Sequence, residues 1–259
     1  MITRDEVLQA LHRTGAAPGI AWAFDAACEQ ILEDFTRGAG YGALTAGVGR
    51  YEVLADRMDR VFSCGDYEVE PGMEFEGLDI VFDGLSDRVQ ASMPVISAGT
   101  VTRSNLNGSN GWSVGGFRFI THAFDLGEHA KIDWTSATKT VQAVSRQAPG
   151  VFTPVTLLDH MLPAQAREDL AAQDALPLIT IPTLVLGHAL NLTTSERELL
   201  LGHSRYNDDE GNPWYWTESL LDGNGGVSGS RPMPGVVPPQ VDEPDVAVRL
   251  RTNAAENAQ

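Results

Sequence analysis

Between Thr3 and Phe62 the apolar residues of this chain recur every three or four positions, and beyond Cys64 they alternate in twos between turn residues. That change of period constrains the fold more than any motif does. A 3.6-residue repeat makes a one-sided helix, and a two-residue repeat makes a one-sided strand. Helices first and strands afterwards bury both apolar faces by packing a helical layer on a sheet, so the expectation is an α+β fold with a largely antiparallel sheet.

Thr3 and Glu6 have the spacing of a capping box ahead of Val7, Leu8 and Leu11, which predicts a short first helix ended by Thr14 and Gly15. Ile20, Phe24, Ala27, Cys28, Ile31, Leu32 and Phe35 form one face of a second helix, with Gly38 as its stop. A third helix over residues 50–62 places Tyr51, Leu54, Met58, Val61 and Phe62 on one side and Arg50, Arg57 and Arg60 largely elsewhere. Strands are predicted at 78–83, 89–96, 100–106, 112–124, 129–134, 183–190, 197–206 and 213–219, interrupted by a helical piece near 154–173. Two Asn-Gly pairs in "NLNGSNGW" predict that 100–106 and 112–124 form an antiparallel hairpin.

The organisation expected is therefore a helical region over 1–64, a mainly antiparallel β region of the same domain over 65–221, and a Gly/Pro-rich tail over 222–259. The tail has few large apolar residues to bury and reads as an extended, flexible segment or docking arm. Within it, Val246, Val248 and Leu250 alternate with Ala247, Arg249 and Arg251, a pattern suited to adding a strand to a sheet edge.

Charge narrows the possible partners. Acidic residues number 35 against 18 basic ones, a formal net charge of -17. Direct binding to nucleic acid or an anionic membrane is disfavoured, because phosphate recognition needs clustered Lys or Arg. Sixteen of the basic residues are arginine and two are lysine, a bias expected of a high-GC bacterium or its phage. Two cysteines, Cys28 and Cys64, are too few for a disulfide scaffold or a CxxC zinc site, which favours a reducing compartment. With neither an apolar leader at the start nor a run long enough to cross a bilayer, the expected location is the cytoplasm or a phage particle.

Four stretches could carry function. "RGAGYGALTAGVGRYEVLADR", 37–57, is glycine-rich but lacks the GK[ST] of a Walker loop and the strand that precedes a dinucleotide fingerprint. It reads as a connection between helices, with an anion site near Arg50 at the start of the third helix as the alternative. "DYEVEPGMEFE", 66–76, alternates Asp66, Glu68, Glu70, Glu74 and Glu76 with apolar residues, so an extended chain turns all five carboxylates to one side. A hairpin about Pro71–Met73 would set those charges opposite one another, to be relieved by solvent or by a basic partner.

The third stretch is "TLVLGHALNLTTSERELLLGHSRY". Folded about a four-residue loop at Thr193–Glu196, it sets His188 opposite Leu201 and His203 opposite Leu186, leaving the two imidazoles on one face about 7 Å apart. With Asp208 they could form a metal or general-base site. "HAFDLGEHAK", 122–131, gathers His122, Asp125, Glu128, His129 and Lys131 in no known metal or nuclease spacing and reads as a polar turn. Its convergence with His188 and His203 would favour an enzyme.

Weighed together, these features favour a non-enzymatic protein-binding or assembly component acting through carboxylates 66–76 and the tail, with another protein bearing a basic surface as partner. No cofactor is expected. The alternatives are a metal-dependent hydrolase using His188, His203 and Asp208, and an acidic mimic of nucleic acid.

Overall fold

The computed structural model describes residues 3–35, 43–73, 78–147 and 179–221, and all of them belong to one compact unit, Met1–Ser228. The expected helix over 154–173, Glu74 and Glu76, and the tail with Val246, Val248 and Leu250 lie outside the described residues.

The fold is α+β, with N-terminal helices against a six-stranded, largely antiparallel sheet. Helix α1 (Arg4–Thr14) opens with the expected capping box: Glu6 N donates to Thr3 Oγ1 at 3.2 Å and Thr3 N to Glu6 Oε2 at 2.7 Å. Gly15, at a φ of 71°, ends it in the left-handed conformation that glycine adopts without strain. Helix α2 (Ala16–Asp34) follows at once and buries Ile20, Phe24, Ala27, Cys28 and Ile31. It ends at Asp34, capped by the bond from Phe35 N to Ile31 O, short of the expected stop at Gly38.

Helix α3 (Ala43–Val61) begins inside the glycine-rich stretch, well before the expected start at residue 50. Within this helix position 49 needs glycine, because a β-carbon there would lie 2.9 Å from the ring of Phe35 at the end of α2. The expected apolar side is buried at Leu54, Met58, Val61 and Phe62. Arg57, expected to fall elsewhere, is buried too, beside Asp56.

Between α3 and the sheet, the strands expected at 78–83 and 89–96 are short helices, α4 (Leu78–Phe82) and α5 (Asp87–Ser92). Val81 is buried while Ile80 is exposed, and Ser86 caps α5 by accepting from Val89 N. Spacing and cap favour a helical turn over alternation.

Strands β1 (Thr102–Arg103), β2 (Gly111–Val114), β3 (Phe117–Ala123), β4 (Thr183–Leu190), β5 (Arg197–Ser204) and β6 (Trp214–Ser219) lie in sequential order. The Asn-Gly hairpin joins β1 to β2 as expected, with Asn107 and Gly108 at φ values of 45° and 79° inside a Leu106–Ser109 bridge. The single strand expected at 112–124 is two strands, because Gly115 and Gly116, both at positive φ, turn Val114 back onto Phe117. The segment expected as a strand at 129–134 is a 3-10 turn, His129–Lys131. β3 and β4 run parallel, and the other neighbours are antiparallel.

Alternation along the strands divides the apolar side chains between two cores. Leu184, Leu186, Leu199 and Leu201 face α1–α3 together with Phe117 and Phe119. Val185, Leu200 and Ile120 face the other way, against Trp134, Trp214 and helix α6 (Lys139–Ser145). No helix among the described residues is long and apolar enough to cross a membrane.

Candidate functional site

The segment running from the end of α3 to β1, residues 65–100, stands out by its charge and by what holds it. It carries eight carboxylates against one arginine, Arg88. Asp66, Glu68 and Glu70 are exposed, and no cation pairs with any of them among the described residues. The backbone corrects the expected acidic hairpin. Gly65–Tyr67 is a 3-10 turn, Glu68 is extended, and Met73 N closes a turn on Glu70 O at 2.9 Å. The alternation survives without a strand, with Tyr67 and Val69 half-buried and the three carboxylates outward. Asp79, Asp83 and Asp87 are exposed farther along the same segment.

Exposed apolar side chains lie along the same segment. Ile80 is 64% exposed, Val95 82% and Met73 41%, which is half of the six exposed large hydrophobic residues among those described. A segment that combines unpaired carboxylates with exposed aliphatic groups is unlike a merely solvated acidic one.

Side chains of the helical layer fix the segment. Arg60 on α3 donates from Nη1 to Val81 O at 2.7 Å and Asp83 O at 2.8 Å, satisfying carbonyls at the end of α4. Its Nε donates to Asp56 Oδ2 at 2.9 Å, and its guanidinium lies 4.3 Å over the Tyr67 ring. Tyr67 in turn donates its hydroxyl to Asp56 Oδ1 at 2.6 Å. Burial, and then that bond to a carboxylate, push the phenol up to about 12. Farther along, Trp22 Nε1 is shared between Val89 O and Ser92 Oγ, both at 3.2 Å, and Gln90 Nε2 donates to Leu85 O at 2.7 Å.

A second polar knot ties α3 to the first strands. Asp59 accepts from Arg103 Nη1 at 2.7 Å on both oxygens and from Trp112 Nε1 at 2.8 Å, while the Cys64 thiol donates to it at 3.4 Å. The Arg103 guanidinium also stacks 4.6 Å over Trp112. Burial, and then Asp59, push the Cys64 thiol up, and burial pushes Cys28 up to about 12, so neither thiol is poised as a nucleophile.

The histidine pair expected to share a site is not brought together. Leu190 pairs with Arg197, so His188 faces Leu199, two residues off the expected register. Asn191 causes the shift by closing a longer turn: its side-chain oxygen accepts from Thr193 N at 2.9 Å and its N–H donates to Glu196 O at 2.8 Å. His203 then lies four residues along β5 from His188's partner, about 13 Å away at ~3.3 Å per residue. Its Nε2 lies 3.2 Å from Gln147 O, and Asp208 is exposed in the turn beyond β5, at the end away from His188.

The 122–131 segment does meet the strand of His188. Ala123 pairs with His188 and Phe124 N donates to His188 O at 3.1 Å. The polar groups nevertheless divide between the two faces of the sheet. His188 lies against Phe24 of α2, whereas His122 lies 5.0 Å from Trp134 on the opposite side. His129 Nδ1 is 2.6 Å from Glu198 Oε1, and Lys131 pairs with Glu128. Among the described residues no three His, Cys, Asp or Glu side chains are grouped to hold a metal ion. Nor does Arg50 mark an anion site at a helix start, since it lies in the third turn of α3 and reaches Leu190 O at 3.4 Å.

No protein-family model, curated protein or solved structure matches the chain.

Proposed function

We propose that this protein performs no chemistry of its own and is a binding or assembly component, offering residues 65–100 to a partner protein whose surface is basic and carries apolar groups. The observation that carries the reading is the union of two features on one held segment: unpaired carboxylates at Asp66, Glu68 and Glu70, and exposed Met73, Ile80 and Val95. Charge complementarity steers and selects the partner, while the aliphatic side chains supply the burial that makes contact last. The bonds made by Arg60, Tyr67, Trp22 and Gln90 favour the same end, because the backbone they hold around Tyr67 and over 81–92 loses less entropy on binding.

The apolar groups favour a basic protein over an acidic mimic of nucleic acid, since a phosphate backbone has no counterpart for Ile80 or Val95. The hydrolase reading lacks comparable support, because His188, His203 and Asp208 do not converge. The tail, through Val246, Val248 and Leu250, is proposed as an accessory arm to a sheet edge, and the cytoplasm or a phage particle as the site of action.

The test is photo-crosslinking in the native cell, with benzoylphenylalanine in place of Ile80, Val95 or, as a control elsewhere on the surface, Val48, which is 58% exposed. The expected result is one discrete adduct from positions 80 and 95, absent from position 48 and abolished by Glu68→Lys with Glu70→Lys. Equal labelling at all three positions, or an adduct indifferent to the charge reversal, refutes the reading.

A further inference from the structure

His188 sits on the helix-facing side of β4, where the ring of Phe24 is 6.1 Å away and Arg50 reaches the carbonyl of Leu190, two residues along the same strand. It has no exposed surface, and neither ring nitrogen has a hydrogen-bond partner among the described residues. No other described side chain leaves two buried polar atoms unsatisfied. Even the neutral imidazole is costly there, since each unsatisfied group forfeits its hydration without compensation.

The protonated ring is far worse placed. The charges that act on it are Arg50 from α3 and His122 from β3, both of the sign that opposes a proton. α2 brings the Phe24 ring, and its Asp25 faces Arg197 at 3.1 Å. β5 brings Leu199, and the charge of Asp125 bears on Arg50. Among the described residues no carboxylate compensates a charge on His188.

We propose that His188 is a proton-operated latch between the helical layer and the sheet, able to take up a proton only when the seam between α2, α3 and β4 is open. Burial, then Arg50 and His122, hold the packed imidazole down at about 3, whereas an open one returns toward 6.5. The sign follows from which state binds the proton. The latch holds fully above 6.5, and its hold is lost progressively as pH falls from 6.5 toward 3. At a pH of about 4.5 the open state is favoured roughly 100-fold over its neutral-pH population.

The test is hydrogen exchange of the full chain at neutral pH and at a pH of about 4.5, with rates divided by intrinsic exchange to give opening constants. In the wild type, peptides from 16–34, 43–61 and 183–190 are expected to open on the order of 100-fold more at the lower pH. His188→Leu should remove most of that rise, and a change at the exposed His12, His12→Gln, should leave it intact. Equal rises in wild type and His188→Leu, or no rise in wild type, overturn the proposal. Should His188→Leu fail to fold, an NMR titration of the wild-type ring decides. A packed His188 that stays neutral well below its ordinary value supports the latch, and one that protonates near 6.5 while still packed refutes it.

Discussion

Replacing Asp59 by alanine should be among the most damaging single changes to this fold, and its cost can be worked from the contacts. The carboxylate is 13% exposed and receives both the Arg103 guanidinium and the Trp112 indole N–H, from a tryptophan with no exposed surface. Its removal leaves a buried indole donor without a partner, at about 1–3 kcal/mol. It also leaves a largely buried arginine uncompensated, and breaking such a pair from one side costs about 3–5 kcal/mol. The two penalties overlap, since Arg103 keeps Asn105 at 2.8 Å and its stacking on Trp112. The expected loss is therefore about 3–5 kcal/mol in all. Urea unfolding at neutral pH, followed by circular dichroism, measures it. A double-mutant cycle with Arg103→Met should return a coupling of about 1.5–3 kcal/mol, because the second change removes the stranded charge. A loss under 1 kcal/mol, or strict additivity, would refute the view that this ion pair fastens α3 to β1 and β2.

Three further outcomes are expected. Gly202→Ala puts a β-carbon 2.7 Å from the Trp214 ring and 2.9 Å from Trp216 O, so it should cost about 1–3 kcal/mol in the same urea assay, and a neutral effect would mean that β5 and β6 are less closely apposed. Arg60→Met should raise hydrogen exchange across 78–92 by at least tenfold while leaving β4 and β5 protected; unchanged exchange in 78–92 would show that the carbonyl contacts of Arg60 do not hold α4. Cys28 and Cys64 should react with a disulfide reagent at neutral pH only at the rate of unfolding, and rapid labelling of the native protein would contradict their buried, raised thiols.

The features legible in the sequence were those written in local chemistry. The Thr3–Glu6 box, the Gly15 stop, the apolar face of α2 and the Asn-Gly turn depend on residues within a few positions of one another, and each appears in the fold. β4 and β6 lie where β-branched or aromatic runs placed them, and β5, a leucine run with no β-branched or aromatic residue, lies where the fold-back of its sequence onto β4 placed it. The Gly115–Gly116 turn was equally local and could have been read from glycines flanked by Val114 and Phe117. The β4–β5 register was harder, because it hangs on the Asn191 side chain capturing two amides. A two-residue shift keeps every face and moves His188 away from His203. α4 and α5 are short enough that periodicity alone cannot separate helix from strand, and their bonds to Arg60 and Trp22 come from distant elements. For the candidate site, the carboxylates at 66–70 were visible as a pattern, but their mounting on Asp56, Arg60 and Tyr67 was not. The 3.6-residue repeat says of Arg60 only that it falls largely off the apolar side of α3.

The central claim, that residues 65–100 are a partner-binding surface, is tested most directly by the hydrogen-exchange footprint of the protein in complex with its crosslinked partner, taken at low and at high salt. The account predicts protection concentrated between Asp66 and Val95, weakening steeply as salt rises. Protection centred elsewhere on the chain, or a footprint on this segment that salt does not diminish, would contradict it.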